Sequence, residues 1–223
     1  VALNDDRGDG SLDSAIALTI VESGDYTVSM ERYRGGNSSG EFSLVISLVD
    51  ASIVDELRAL RENMSMSGER RSIRTEDFVV YYTLEGADAS SEAYAREVGV
   101  ALQENLDAQT AIGFAQPVRD DEGLYRAYVS EVGGALGFAR PVDTVFDNPY
   151  TTDVREEAAS RAIFVIDNDF VGLGDASPSS LIRATATHEL NHIVQYGYDS
   201  SEELNWLYES TASWIETVTV GVD

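Results

Sequence analysis

The stretch from Thr187 to Gln195 contains the pattern His-Glu-x-x-His, and His188 and His192 are the only histidines in the chain. On an α-helix, residues four apart lie one above the other on the same face, so both imidazoles could reach a single metal ion. Glu189 stands beside them, where a carboxylate can accept a proton from a water that the metal activates. The pattern therefore predicts a helix here, with a metal site on one of its faces.

The residues around this pattern are apolar for so charged a chain. Between Ala184 and Tyr198 the only formally charged residue is Glu189, whereas 25% of the whole chain is charged. A helix surrounded by solvent would carry more charge. At about 100° per residue, two opposite sides emerge. One side carries Ile182, Ala186, Leu190 and Ile193, and the other carries Leu181, Thr185, His188, His192 and Gln195. The first side is predicted to be buried and the second to line a cleft.

A zinc ion bound by two histidines lacks a third protein ligand. The position at which a metzincin would supply a third histidine is occupied by Tyr198. A second helix-like segment follows, and its Glu209 can present a carboxylate after a turn; the alternative is that Glu209 faces solvent. The predicted core-facing stripe of this segment is Leu204, Leu207, Tyr208, Thr211, Trp214 and Ile215. Glu209 and Glu216 lie opposite the stripe, Glu216 is predicted to face solvent, and Glu202 and Glu203 fall in the turn.

These two segments resemble the gluzincins, the thermolysin-like clan of zinc metallopeptidases. They are more similar to a group of secreted bacterial metallopeptidases in which an HExxH helix continues into Gln and Tyr-Asp, followed by Trp-x-x-Glu-x-x-Ala-x-Trp. The matching residues are His188, Glu189, His192, Gln195, Tyr198-Asp199, Trp206, Glu209, Ala212 and Trp214. The resemblance covers roughly residues 77–217, and it implies zinc ligation by His188, His192 and Glu209 with Glu189 as general base.

Two features of the resembling enzymes have no counterpart in this chain. Thermolysin-like enzymes carry an Asp four residues after the ligand Glu, which orients a ligand histidine, and Ser213 occupies that position here. They also use a further histidine to stabilise the transition state, and this chain has no third histidine. Tyr196, Tyr198 and Tyr208 are the candidate donors to an oxyanion in its place.

The first 76 residues have a different character. Residues 1–50 alternate apolar and polar side chains around a Gly-rich hairpin loop, and they resemble half of a bacterial pre-peptidase C-terminal type β-sandwich. The other half would come from an upstream domain, another chain or the catalytic domain. Residues 51–76 are predicted to be a helix and a linker. Three arginines at Arg70, Arg71 and Arg74 indicate either a local counter-charge or a processing site, the latter with residues 1–76 as a pro-region.

From residue 77 the pattern predicts an α+β domain reaching residue 223. Strands are predicted at 78–83, 124–129, 137–140 and 162–166, and an amphipathic helix at about 89–109. Ser177-Pro178 is a helix start before the HExxH segment. The resemblance implies that these elements form a zincin-like mixed sheet carrying the active-site helix, preceded by the partial antiparallel β-sandwich module.

The composition restricts the partners of the chain. It contains no cysteine, which excludes disulfides and thiolate metal sites. Its net charge is −25 and all 15 of its basic residues are arginine, so it should repel nucleic acid and anionic membranes. No apolar run approaches the ~20 residues of a membrane helix. We expect a secreted, extracellular or cell-surface protein. Calcium is a second candidate ion, at Asn4, Asp5, Asp6, Asp9 and Asp13 or at Asp167-Asn168-Asp169, although solvated loops and a strand-end turn explain these clusters more simply.

These observations predict a zinc metalloendopeptidase that hydrolyses peptide or protein substrates. The zinc chemistry follows from the residues, and the peptide substrate follows from the resemblance. The alternative is a non-catalytic surface or adhesion protein whose metallopeptidase-like domain is structural. Glu189 argues against it, because a purely structural metal site needs no general base.

Overall fold

A computed structural model describes residues 64–172, 176–201 and 205–219. These residues form a five-stranded sheet and three helices, which is the α+β class predicted from the sequence. The predictions for residues 1–50, including the β-sandwich and its calcium cluster, lie outside the described residues, as do Glu202, Glu203 and Leu204. In chain order the elements are β1 (Arg71–Arg74), β2 (Phe78–Tyr82), α1 (Glu92–Ala111), β3 (Tyr125–Val129), β4 (Gly137–Phe146), β5 (Ala159–Ile166), α2 (Pro178–Tyr198) and α3 (Asn205–Thr219).

The sheet is mixed, with strand order β1-β2-β3-β5-β4. Its three central strands run parallel, and β1 and β4 pair antiparallel at the two edges. Every residue of β5 is buried, as expected for a central parallel strand that is covered on both faces. The arrangement leaves β4 at one edge of the sheet, next to α2.

Helices α1 and α2 pack together on one face of the sheet. Because side chains alternate along a strand, Phe78, Val80 and Tyr82 of β2 all point to this face. The side of α2 predicted to be buried is fully buried against them, and each such aliphatic side chain contributes roughly 1.5–3 kcal/mol by leaving water. The burial of this side holds α2 in place, and the opposite side, which carries the histidines, is itself largely covered: Thr185 and His192 are buried and His188 is half-buried.

Three sequence predictions differ from the structure. Of the helix and linker predicted at 51–76, residues 51–63 lie outside the described residues, and the linker does not extend over Arg71–Arg74, which form β1 and pair with β2. Strand β4 continues well past residue 140, because an edge strand tolerates Pro141 and the irregular pairing that follows it. The stripe predicted to bury α3 is only partly right: Ile215 is buried and Tyr208 and Thr211 are half-buried, but Leu207 and Trp214 are exposed. The other buried residue of α3 is Ala212, which the stripe did not include.

The acidic triplet that follows β5 forms the predicted strand-end turn. Asp167 accepts hydrogen bonds from the backbone amides of Asp169 and Phe170, and the Asn168 side chain donates to two carbonyls of the loop before α1. These local hydrogen bonds form the turn, whereas the buried Oδ1 of Asn168 has no hydrogen-bond partner among the residues described. A calcium ion at this turn stays a prediction. None of the helices in the described part of the chain combines the length and apolar composition needed to cross a bilayer.

Candidate metal centre

The histidines lie in the middle of α2, the longest helix described. The helix begins where the Ser177 hydroxyl accepts a hydrogen bond from the Ser180 amide, with Pro178 at its first position. Pro fits there because the first amides of a helix have no intrahelical partner. The helix runs on to Tyr198, so His188 and His192 lie one turn apart on the same face, with their ring centroids separated by 4.7 Å.

Glu209 of α3 completes a three-ligand group. Its carboxylate oxygens lie 3.2 Å from Nε2 of His188 and 3.7 Å from Nε2 of His192. The ligand atoms of the three residues all lie within 4.8 Å of one another. Ligands held about 2.0–2.1 Å from a tetrahedral zinc ion would be separated by roughly 3.3 Å, so the three side chains fit zinc with small adjustments. The sequence-predicted ligands are therefore brought together.

The other ring nitrogen of His188 contacts Glu216. Nδ1 of His188 lies 2.7 Å from the Glu216 carboxylate, which only accepts hydrogen bonds when ionised. Nδ1 therefore carries a proton and donates it to Glu216, so that in the neutral form of the imidazole, the form that binds a metal, the lone pair is on Nε2, toward Glu209. The prediction that Glu216 faces solvent was wrong, because its side chain is 31% exposed and bonded to the motif histidine.

His192 is oriented by Gln195. The Gln195 Nε2 lies 3.0 Å from the Tyr208 carbonyl oxygen, which can only accept, so this end of the amide must be the NH₂ group. The amide oxygen then faces Nδ1 of His192 at 2.8 Å, and Nδ1 must donate the hydrogen. His192, like His188, thus presents the lone pair of Nε2 toward Glu209.

A buried chain of amides supports this orientation from behind. Gln195 donates to the Asn191 side chain at 3.0 Å, and Asn191 donates to Gln109 of α1 at 3.0 Å. Gln109 in turn donates to the Thr187 carbonyl at 3.2 Å. This series of hydrogen bonds ends at a backbone carbonyl at both ends, Thr187 at one and Tyr208 at the other. Because a carbonyl can only accept, the orientation of all three side-chain amides is fixed. Asn191 and Gln109 are almost fully buried, which makes each of these bonds costly to lose.

When both imidazoles are neutral, three hydrogen-bond acceptors converge at one point. The Nε2 lone pairs of His188 and His192 then face the carboxylate of Glu209, and an acceptor cannot satisfy another acceptor. A bound cation resolves this arrangement, as does a proton on Nε2 of His188, which lies 3.2 Å from Glu209. Two imidazole nitrogens and one carboxylate oxygen suit zinc, and three protein ligands are the number that catalytic zinc sites use.

Glu189 lies between this group and the edge strand β4. It is 7% exposed, and burial raises its pKa to about 7, an effect that His188 opposes and that Glu209 and Glu216 increase. The backbone amide of Ala139 in β4 forms a hydrogen bond with the Glu189 carboxylate and lowers this pKa. A cation bound beside Glu189 would lower it further, because positive charge favours the carboxylate.

Gly137 allows β4 to approach α2 this closely. A Cβ atom at this position would lie 2.6 Å from the Val165 carbonyl oxygen, 2.8 Å from the Thr185 side chain and 3.4 Å from Cγ of Glu189. The first two separations are far below ordinary van der Waals contact, and the carbonyl belongs to the backbone of β5. Only glycine therefore fits between β5 and the helix face that carries Glu189.

Of the three candidate tyrosines, only Tyr196 borders the site. Its ring stacks on His192 with centroids 6.5 Å apart, and its hydroxyl makes a long hydrogen bond of 3.4 Å to the Ala139 carbonyl. The Tyr208 hydroxyl donates to the Asp199 carbonyl, and the Tyr198 hydroxyl accepts from the Ala115 amide instead. Burial, together with Glu189 and Glu209, raises the pKa of Tyr196 to about 12, so its hydroxyl stays protonated at neutral pH.

Sequence reasoning missed the residues that orient the histidines. Glu216 could have been found from its spacing, because seven residues make about two helical turns and place it on the same face as Glu209. Gln109 gave no signal, because its partner Asn191 lies far along the chain in another helix. Long-range pairs of this kind depend on how α1 and α2 pack.

Comparisons with protein-family models, with curated proteins and with solved structures find no match. What the chain does is therefore inferred from its fold and its side chains alone. These define an α+β domain in which two histidines and a glutamate can hold a metal ion beside a buried carboxylate.

Proposed function

We propose that this protein is a zinc-dependent metalloendopeptidase of the gluzincin type. The observation that carries the proposal is the convergence of His188 Nε2, His192 Nε2 and the Glu209 carboxylate beside Glu189. The elements around it support a zincin-like arrangement, because an antiparallel edge strand runs next to the helix that bears the HExxH pattern. The resemblance of the two helical segments to gluzincins points the same way.

In the proposed peptide hydrolysis, different residues bind the metal, transfer the proton and stabilise the oxyanion. Zinc held by His188, His192 and Glu209 would supply Lewis-acid chemistry, acidifying a water and polarising the scissile carbonyl. Glu189 accepts the proton of the attacking water and passes it to the leaving amine. Tyr196 is the donor best placed for the developing oxyanion, since its present hydrogen bond is long and easily redirected.

The edge of β4 supports an extended peptide as substrate. β4 pairs with β5 on one side, and no second strand pairs with its other side among the described residues. Ala139 in this strand directs its amide toward Glu189 and its carbonyl toward Tyr196, so this edge borders the candidate centre, and a peptide that pairs at Ala139 would replace these two hydrogen bonds. An extended chain that adds to this edge would place a peptide bond next to Glu189.

The proposal extends to the environment of the protein. A net charge of −25 without cysteine suits a highly soluble protein outside the cell, which acts on other polypeptides and not on nucleic acid. The competing proposal is a non-catalytic surface protein that keeps the metal for structure. Both proposals require the three ligands, but only the first requires Glu189.

Two variants separate these functions. We expect about one zinc ion per chain by mass spectrometry in the unmodified protein and in Glu189→Gln, and most of it to be lost in Glu209→Ala. Casein cleavage should be sensitive to a chelator and should fall at least ~100-fold in Glu189→Gln, because that variant keeps the metal and loses the base.

The matched control is Glu97→Gln, which removes one carboxylate from an exposed position of α1. It should keep both zinc and cleavage. Zinc retained in Glu209→Ala would remove Glu209 from the ligand set. Zinc in the unmodified protein without any cleavage would favour the structural function, and protein that never takes up zinc would contradict both proposals.

A further inference from the structure

Glu216 and Glu209 contact the two nitrogens of one imidazole. Glu209 lies 3.2 Å from Nε2 of His188, and Glu216 lies 2.7 Å from its Nδ1. Both carboxylates project from α3, where seven residues complete about two turns and return to the same face. A single helix thus supplies a candidate metal ligand and the group that orients another ligand.

Residue 213, from which the resembling enzymes orient a ligand histidine, does not orient one in this protein. Ser213, which stands where the resembling enzymes carry an Asp, is exposed on α3. Glu216 lies almost one turn further along the helix and has the longer side chain. Its reach brings a carboxylate to His188 from a position three residues beyond the one at which the resembling enzymes carry their Asp.

The two histidines donate their Nδ1 hydrogens to acceptors of different charge. Nδ1 of His192 donates to the neutral amide of Gln195, whereas Nδ1 of His188 donates to the carboxylate of Glu216. A hydrogen bond to a charged acceptor is the stronger kind, and a carboxylate behind an imidazole increases the basicity of the coordinating nitrogen. Glu216 should therefore hold the ring of His188 in its orientation more strongly than Gln195 holds that of His192.

We infer that Glu216 is a positioning residue of the metal centre, which holds His188 in the Nδ1–H tautomer with Nε2 directed at the metal. This inference rests on the proposed metal site. It assigns to Glu216 the role that an Asp at position 213 would otherwise have. Glu216 itself does not touch the metal or the substrate.

Zinc affinity and the tautomer of His188 test this role without any activity assay. We expect Glu216→Ala to bind zinc about 10–100-fold more weakly in competition with a chromogenic chelator. Glu216→Gln should lie between that variant and the unmodified protein, because its amide oxygen can still accept from Nδ1. In ¹⁵N spectra of the metal-free protein, recorded at alkaline pH where imidazoles are neutral, His188 should change from the Nδ1–H tautomer to a mixture in Glu216→Ala only.

The outcomes distinguish this inference from the proposed function. Glu97→Gln should change neither quantity, and thermal melting of each variant shows that it is folded at the temperature used. Unchanged zinc affinity and an unchanged His188 tautomer in Glu216→Ala would overturn the inference even if the enzyme is a zinc peptidase. If the unmodified protein takes up no zinc, the proposed function fails, and the tautomer of His188 still decides whether Glu216 orients it.

Discussion

At the scale of single residues, the metal centre depends on where each imidazole carries its hydrogen. An imidazole can bind a metal through Nε2 only if Nδ1 holds the proton, and a hydrogen-bond acceptor behind each ring ensures this. A carboxylate serves His188 and an amide serves His192. The amide of Gln195 depends on more partners than a carboxylate would. Its oxygen must accept from His192 while its NH₂ group donates to the Asn191 side chain and the Tyr208 carbonyl.

Gln195→Glu tests this requirement. A carboxylate still accepts from His192, but it cannot donate to the Asn191 side chain or to the Tyr208 carbonyl. We expect a loss of roughly 1–3 kcal/mol in the free energy of unfolding, measured by chemical denaturation, because these acceptors lose their donor. Gln116→Glu is the control, since the Gln116 oxygen accepts from Arg119 and a carboxylate can do the same. A Gln195→Glu protein as stable as the Gln116→Glu protein would contradict the assigned amide chain.

At the scale of helices and strands, local patterns predicted which elements form. The buried side of α2, the parallel strands and α1 all followed from their apolar periodicity and from helix-start residues. The packing face of α3 could not be predicted in this way. Its apolar residues suggested burial, yet the helix turns Glu209 and Glu216 toward α2 and leaves Trp214 exposed. Which face a short helix buries depends on its neighbours as much as on its own residues.

The contact between β4 and α2 is the element-scale feature that positions Glu189, the proposed general base. Gly137→Ala should force β4 away from the helix, because the added methyl group meets the Val165 carbonyl and the Thr185 side chain. We expect a destabilisation of about 1–3 kcal/mol in chemical denaturation and a fall in casein cleavage, with zinc still bound. The ligands are on α2 and α3, so their geometry does not depend on this strand.

The preceding residue provides the control for this change. Leu136 has an exposed side chain, so Leu136→Ala should leave both stability and cleavage close to those of the unmodified protein. If Gly137→Ala behaves like Leu136→Ala, the close approach of β4 is not required and the position of Glu189 has another cause.

At the scale of the whole molecule, the site concentrates negative charge in a chain that is already acidic. Glu189, Glu209 and Glu216 surround the two histidines, in a protein whose net charge is −25. The sequence predicted His188 and His192 as ligands because HExxH is a local pattern, and Glu209 through the second segment and the resemblance. It could not predict Gln109 as a supporting residue, because its contact with Asn191 exists only after α1 and α2 have packed together, and the contact of Glu216 with His188 likewise needs α2 and α3 to pack, although the spacing of Glu216 from Glu209 gave a signal.

Metal binding should therefore stabilise the whole fold. The proposed ligands lie on α2 and α3, so a bound ion joins two helices that the unfolded chain does not hold together. Zinc at 100 times its dissociation constant would contribute about 2.7 kcal/mol. For a chain of 223 residues this corresponds to a rise in Tm of roughly 5–10 °C, measured by calorimetry with zinc and again after a chelator.

Two comparisons show whether this stabilisation arises at the centre. Glu209→Ala should lose most of the rise in Tm, because it removes the only proposed ligand that α3 contributes. Magnesium should produce little rise in the unmodified protein, since it prefers oxygen ligands and octahedral coordination over two imidazoles. An equal rise with both metals, kept in Glu209→Ala, would instead mean that cations bind diffusely to the acidic surface, and the three-ligand centre would then be wrong.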